Sequence, residues 1–375
     1  MMRPERSPDR GSWMGCFVTL RRKTTMRLGR KMMAIVGVAM GFGFCAGVQG
    51  AGAEVEPASA TSTDLLAGRF RWVAGGPLVE PLQRPGDQLY SVKDPSLVRF
   101  QDRWHLFCTV RGKRRSHQIE YFSFKRWAEA GRDRRRLLAM HKGFFCAPQV
   151  FYFRPQRRWY LICQASDKSW EPEYGAAYAT TRDIADPDSW SPLAPLGHRR
   201  ADGKAGLDFW VICDAQRAHL FFTTLDGRMW REETSLDAFP RGWSAPSLAI
   251  RGDIFEAGHV YRLKGMEKYL AVVEAQGGYG WRYYKAYLAG QLDGTWTPLA
   301  ASREQCFASM KNTRFRGPRW TDCISHGELI RAGYDQRLEV DPGNLRFVFQ
   351  GVTDARRRGK KYGEIPWRLG MLEAE

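Results

Sequence analysis

The sequence predicts an all-β chain folded as a five-bladed β-propeller. Three observations carry that expectation. From Phe70 onward, short apolar and aromatic runs alternate with Gly, Pro, Asp and basic turns, with no long amphipathic helix between them. A two-strand unit recurs five times, its anchors spaced by 53, 61, 48 and 70 residues. An outer echo closes four of the units at Trp127, Trp190-Ser191-Pro192, Trp243-Ser244-Ala245-Pro246 and Trp296-Thr297-Pro298, which gives each unit room for four strands. Repeats of about 50 residues with four strands each are propeller blades. A β-sandwich is the competing architecture, and the repeat argues against it.

Each unit opens on a small or polar anchor, continues as an apolar strand, turns on charged residues and returns as a second aromatic strand. The first is Asp94-Pro95-Ser96-Leu97-Val98 with Trp104-His105-Leu106-Phe107, and the second is Ala147-Pro148-Gln149-Val150-Phe151 with Trp159-Tyr160-Leu161-Ile162. The third is Asp208-Phe209-Trp210-Val211-Ile212 with His219-Leu220-Phe221-Phe222. Glu256-Ala257-Gly258-His259-Val260 with Tyr269-Leu270-Ala271-Val272 forms the fourth, and His326-Gly327-Glu328-Leu329-Ile330 with Leu345-Arg346-Phe347-Val348 the fifth. Together they fill residues 70–375 as one domain.

The start of the chain reads as an address label. Arg27, Arg30 and Lys31 precede an apolar run from Met32 to Val48 that ends in Ala51-Gly52-Ala53, the pattern of a secretory signal cleaved after Ala53. The run is short and Gly-rich for a membrane span, so a secreted, extracellular protein without stable membrane association is expected. Residues before Met26 look like an upstream extension, and residues 54–69 read as a linker.

Of the formal charge of +18, part belongs to the leader; the remainder keeps 49 Lys/Arg against 38 Asp/Glu, or +11. Three basic clusters stand out: Arg111-Gly112-Lys113-Arg114-Arg115, Arg132-Asp133-Arg134-Arg135-Arg136 and Arg356-Arg357-Arg358-Gly359-Lys360-Lys361. No nucleic-acid recognition motif accompanies them, so no nucleic-acid partner is expected. They read as solvated loops, or as a surface attractive to an acidic polysaccharide. The 14 tryptophans divide between core filling and sugar stacking. The six cysteines after the leader, Cys108, Cys146, Cys163, Cys213, Cys306 and Cys323, form no zinc spacing, and a Cys306–Cys323 bridge is an open alternative to buried thiols.

In a propeller the first strand of every blade lines the axis. Asp94, Ala147, Asp208, Glu256 and His326 would therefore ring one mouth, and three carboxylates with a histidine are costly to gather unless they bind something. Glycoside hydrolysis uses such a set: one carboxylic acid protonates the leaving oxygen, and a carboxylate roughly 6.5–9.5 Å away activates water for inversion. A third carboxylate would keep the acid protonated.

At these residues the chain resembles glycoside hydrolase family 62, the arabinoxylan α-L-arabinofuranosidases. The stretches that carry the resemblance run in order from Phe70-Arg71-Trp72-Val73, Lys93-Asp94-Pro95-Ser96 and Ala147-Pro148-Gln149-Val150-Phe151 through Asp208-Phe209-Trp210-Val211-Ile212 and Phe255-Glu256-Ala257. They continue as Gly294-Thr295-Trp296-Thr297-Pro298, Ser325-His326-Gly327-Glu328, Gly333-Tyr334-Asp335-Gln336 and Pro366-Trp367-Arg368-Leu369-Gly370.

The resemblance implies an inverting enzyme with Asp94 as general base, Glu256 as general acid, and Asp208 as the group that tunes and orients the acid. It implies sugar contacts from Lys93 and Arg282, contacts of Tyr334 and Asp335 with the xylan backbone, and an axial calcium ion held by His326 and water. The implied partner is arabinoxylan and the implied state a monomer. Lys204-Ala205-Gly206-Leu207 lacks the aromatic residues usual before Asp208, and the basic insertions near 111–118 and 132–137 are unusual for the family. An arabinanase or β-xylosidase of the same clan, and a non-catalytic polysaccharide-binding propeller, are the competing functions.

Overall fold

A computed structural model of the chain describes residues 64–114, 116–132, 134–197, 206–277 and 281–375. The expected leader and upstream extension, most of the linker, and Lys204-Ala205 lie outside these residues. Five sheets follow one another along the chain as the blades of a propeller. Blade 1 comprises Leu89–Phe100, Arg103–Gly112, Gln118–Phe124 and Arg136–Leu137. Blade 2 comprises Phe144–Phe153, Arg158–Ser166, Tyr174–Thr181 and Ala194–Pro195. Blade 3 comprises Leu207–Cys213, Arg217–Thr223, Arg228–Ser235 and Ser247–Arg251. Blade 4 is His259–Leu263, Tyr269–Gln276, Arg282–Ala289 and Thr297–Ala300, with the short strand Glu339–Val340 added at its inner edge.

Blade 5 closes the ring by drawing on both ends of the domain. Its strands Ser325–Leu329, Arg346–Gly351 and Arg368–Ala374 are completed by Trp72–Ala74, which pairs antiparallel with the last strand in the register Trp72↔Ala374. Thr313–Phe315 then runs parallel to Trp72–Ala74. The indole of Trp72 is buried and donates to the Phe307 carbonyl at 2.6 Å, so the closing strand is fixed by its side chain as well as its ladder. The segment read as the end of the linker is part of this body: residues 64–66 form a helical turn whose Leu65 packs into the core.

The apolar runs are continuous rather than alternating because each blade is covered on both faces by its neighbours. Trp210-Val211-Ile212 and Leu220-Phe221-Phe222 are buried throughout, and each fully buried side chain of this kind contributes about 1.5–3 kcal/mol. The outer tryptophans act as wedges between blades. Trp190 of blade 2 meets Phe107 of blade 1 edge-on at 5.7 Å, and Trp296 of blade 4 meets Phe221 of blade 3 at 6.0 Å. Core filling is therefore what these two do.

Below the mouth a buried ion pair stands on the axis. Arg331 reaches Glu328 at 2.7 Å and donates to the carbonyls of Val150 and Leu97, tying blade 5 to blades 2 and 1. All six described cysteines are buried free thiols, Cys306 and Cys323 included. No described helix is long and apolar enough to cross a membrane.

Candidate active site

A repeated backbone irregularity builds the mouth. Asp94, Ala147, Asp208 and Ala257 all have φ between 50° and 53°, a left-handed conformation that non-glycine residues seldom adopt. In blades 1 to 3 each sits where the ladder between the first and second strands slips, between Lys93 and Ser96, Cys146 and Gln149, and Leu207 and Trp210. Such a bulge re-aims a side chain out of the strand's ordinary alternation. The strain is held by a bond made over again in each blade. The N–H of Asp94 donates to Gln350, that of Ala147 to Thr109, that of Asp208 to Gln164 and that of Ala257 to Asp208, at 2.8–3.1 Å. In blade 5 the N–H of His326 donates to Glu274 at 2.7 Å. Every acceptor belongs to the preceding blade, so the mouth is stitched around its circumference.

This frame corrects one reading of the repeat. Glu256 is not the counterpart of Asp94 and Asp208; Ala257 is, and Glu256 precedes it. Lys93 holds that same preceding slot in blade 1, and Cys146 holds it in blade 2. The chemistry of the mouth comes from two consecutive positions per blade rather than one.

Asp94, Asp208, Glu256, Lys93, Arg282 and His326 are brought together. Lys93 Nζ is 3.5 Å from Asp94 Oδ2, and His326 Nδ1 faces Asp94 Oδ1 at 3.4 Å and Asp208 Oδ2 at 3.8 Å. Arg282 grips Glu256 and also bonds Glu274 at 2.8 Å. Burial works against the charge on Asp94, but Lys93 and then His326 outweigh it and hold the carboxyl below its usual range. Asp208 goes the other way: burial, opposed by His326 and reinforced by Glu256 and Asp94, pushes it up to about 6. Burial likewise disfavours charge on His326, yet Asp208 and Asp94 raise its pKa. Two aspartates on one floor are thus driven apart, one toward permanent charge and one toward carrying a proton near neutrality.

Tyr334 and Asp335 are not part of this cluster. The Tyr334 ring packs against Phe100 at 5.1 Å, Trp159 at 5.6 Å and Tyr152 at 5.9 Å, and Asp335 pairs with Arg154 at 2.5 Å and Arg337 at 3.3 Å. Phe100 lies six residues beyond Asp94 on the same strand, roughly 20 Å at the rise of a β-strand. The pair therefore stands at the far end of the blades, apart from the cluster at the mouth.

One tyrosine that does reach the mouth is Tyr362. Its ring lies 5.6 Å from Lys93 Nζ and 5.5 Å from the Arg282 guanidinium, and burial pushes its phenol up to about 12. Glu274 was also missed; it is fully buried, bonds Arg282, Ser325 and the His326 N–H, and is raised to about 7 by burial. Both lie outside the anchor repeat, Glu274 within an apolar strand and Tyr362 in a turn after a basic run, so no periodic signal marks them. Aromatic rings line the opening beside them, with Trp281 stacked on Trp367 at 5.7 Å and Arg282 lying 4.7 Å over Trp281.

Among the described residues no three His, Cys, Asp or Glu side chains are grouped to hold a metal ion. His326 offers one ring nitrogen, already turned to Asp94 and Asp208. Calcium takes 6–8 oxygen ligands, so this donor set is a poor cage by itself.

A propeller whose mouth gathers three carboxylates against a lysine and an arginine has the architecture of a glycoside hydrolase. The chain belongs to glycosyl hydrolase family 62, whose family model matches residues 71–373. It is 39% identical over 319 residues to α-L-arabinofuranosidase C of Cellvibrio japonicus, covering 83% of this chain and 48% of that protein. The chain thus spans about half the length of that curated relative. Among solved structures, the catalytic domain of the Coprinopsis cinerea family 62 α-L-arabinofuranosidase superposes with a TM-score of 0.76 at 36% identity, covering 82% of this chain and 98% of that one. The Podospora anserina α-L-arabinofuranosidase in complex with cellotriose gives 0.75 at 34% identity, covering 83% and 98%. A family 62 hydrolase in complex with xylotriose gives 0.76 at 32% identity, covering 83% and 99%.

Proposed function

We propose that the chain is an exported, monomeric α-L-arabinofuranosidase that removes arabinofuranosyl side chains from arabinoxylan with inversion. The observation that carries this reading is the division of labour among the carboxylates. Asp94 is held charged by Lys93 and His326, as a base needs, while Glu256 stands beside Arg282 at the other side of the mouth with Asp208 bonded to the next residue along. Solved relatives in complex with xylotriose and with cellotriose support a substrate built on such an oligosaccharide backbone.

In the reaction, Glu256 gives its proton to the glycosidic oxygen as the bond from the anomeric carbon breaks. Asp94 takes a proton from a water that forms the new bond on the opposite face, and solvent returns the proton from Asp94 to Glu256. Asp208 accepts the N–H of Ala257, the residue after Glu256, at 2.8 Å and so fixes the backbone that orients the acid. Lys93, Arg282 and Tyr362 fix the sugar ring between the two carboxyls. The axial calcium is proposed on the resemblance alone, with His326 its single side-chain ligand, and no step uses it.

The test is the product. Arabinoxylan should yield free arabinose with the xylan backbone intact, and linear arabinan should yield little. Release of xylose, or faster release from linear arabinan, would move the chain to a β-xylosidase or arabinanase; binding without any release would make it a carbohydrate-binding propeller.

A further inference from the structure

Two of the three basic clusters meet at the rim of the mouth, and the third does not. Arg111 lies so close over Gly363 that a β-carbon there would collide with its guanidinium, and Gly363 follows the site residue Tyr362. From the other side Arg357 lies 4.5 Å over Trp281, the ring that carries Arg282 and through it Glu256. The strand end at Arg111 and the segment Arg356–Lys361 therefore flank one opening.

The remaining cations there are Lys113, Arg114, Arg356, Arg358, Lys360 and Lys361. All are exposed, and none has an ion-pair partner among the described residues. Three of the acids nearby are already engaged, Asp354 with Arg357 at 2.7 Å, Asp322 with Arg319 at 2.6 Å and Asp87 with the Arg114 N–H at 3.2 Å, and the exposed Glu364 is one negative charge against these six cations.

In the middle cluster Arg132 and Arg134 are exposed, while its other two arginines have structural partners. Arg135 is buried against Glu120 at 2.8 Å, and Arg136 pairs with Asp188 at 2.7 Å. Uncompensated like charges crowded on two loops repel one another, which costs stability that an anion in the opening offsets.

We propose that this basic rim selects arabinoxylan chains carrying uronic-acid substituents, whose carboxylates it engages while arabinose occupies the mouth. The proposal rests on the arabinoxylan reading and narrows it to an acidic form of that polymer. The cations sit on the loops rather than on the floor, so they act on substrate capture and leave the chemical step alone. Exposed charges are screened over about 8 Å at physiological ionic strength, so the preference is a low-salt effect on KM, about threefold to tenfold.

The experiment uses one uronic-acid-bearing arabinoxylan, before and after reduction of its carboxyls to primary alcohols. Arabinose release is followed at about 20 mM and about 500 mM NaCl, below and well above the range where screening sets in. At low salt the parent enzyme should show a KM about threefold to tenfold lower on the acidic form, and the two forms should converge at high salt. The fourfold variant Arg356→Gln, Arg358→Gln, Lys360→Gln and Lys361→Gln should lose that preference, with kcat and KM on the reduced polymer unchanged. Lys113→Glu with Arg114→Glu, on the other loop, should lose it independently, so misfolding of one variant does not blunt the test. Equal KM values for both forms at low salt, or a preference that survives both variants, would overturn the proposal. Failure to release arabinose from either form would instead overturn the arabinofuranosidase reading beneath it.

Discussion

The two ends of the same blades are built by opposite rules. At the far end, charges are paired and aromatic rings packed: Arg154 and Arg337 share Asp335, Arg262 takes Glu267 at 3.0 Å, and Tyr334 is wedged among Phe100, Tyr152 and Trp159. At the mouth, four residues accept a left-handed backbone in or just before a blade's first strand, whereas at the far end Gln101, Asp102, Arg157 and Leu338 do so in connecting segments; two buried aspartates face one histidine, and the rim carries exposed cations without ion-pair partners among the described residues. The strands are shared, so the fold does not demand the crowding of charge at one end. The difference marks where stability is exchanged for chemistry.

The largest expected effect lies at the mouth. Glu256→Gln and Asp94→Asn should each lower kcat on arabinoxylan by about 10²–10⁴-fold, because each removes one proton transfer. Equal loss of activity from Asp335→Asn would erase the distinction between the two ends; that variant should retain activity within about twofold and lose about 1 kcal/mol or less of stability, since its arginine partners are half exposed.

The axis should behave as structure alone. Arg331→Met leaves Glu328 buried without its cation, and should cost about 3–5 kcal/mol in denaturant unfolding. An unchanged midpoint would mean that the pair does not brace the ring.

A smaller, pH-dependent effect sharpens the electrostatic contrast within the mouth. Asp208 is raised from an ordinary 3.8 to about 6, so the folded chain holds a proton there that the unfolded chain has already lost. Its contribution to stability therefore falls as pH rises from about 4 to about 6, and the penalty is complete above that window. Asp208→Asn should be more stable than the parent by about 1–3 kcal/mol at pH 8 and no more stable at pH 4, while losing activity. A gain that is the same at both values would deny the raised pKa.

The fold was legible because blade strands, covered on both faces, must be apolar along their length, and five such pairs leave a visible repeat. The closing strand Trp72–Ala74 was less so, since its partner lies at the opposite end of the domain and no local spacing announces a ladder between them. Asp94, Asp208 and His326 could be placed from their positions in the repeat. Glu256 was found at the mouth but assigned to the wrong slot, because sequence spacing does not distinguish a left-handed residue from the one before it. Tyr334-Asp335 and Tyr362-Gly363-Glu364 are both aromatic-acid turns, and only the tertiary register puts one against Phe100 and the other against Lys93. Glu274 looked like part of a strand because it is one; its function comes from the neighbouring blade's His326 and Ser325.

The most direct test of the account is the anomeric configuration of the first arabinose released. On the roles proposed above, Asp94 delivers water to the face opposite the leaving oxygen, so an α-linked arabinofuranoside must first give the β-anomer. Proton NMR in the first moments of turnover, before mutarotation, should show β-arabinofuranose leading; initial release of the α-anomer would contradict the roles assigned to both carboxylates.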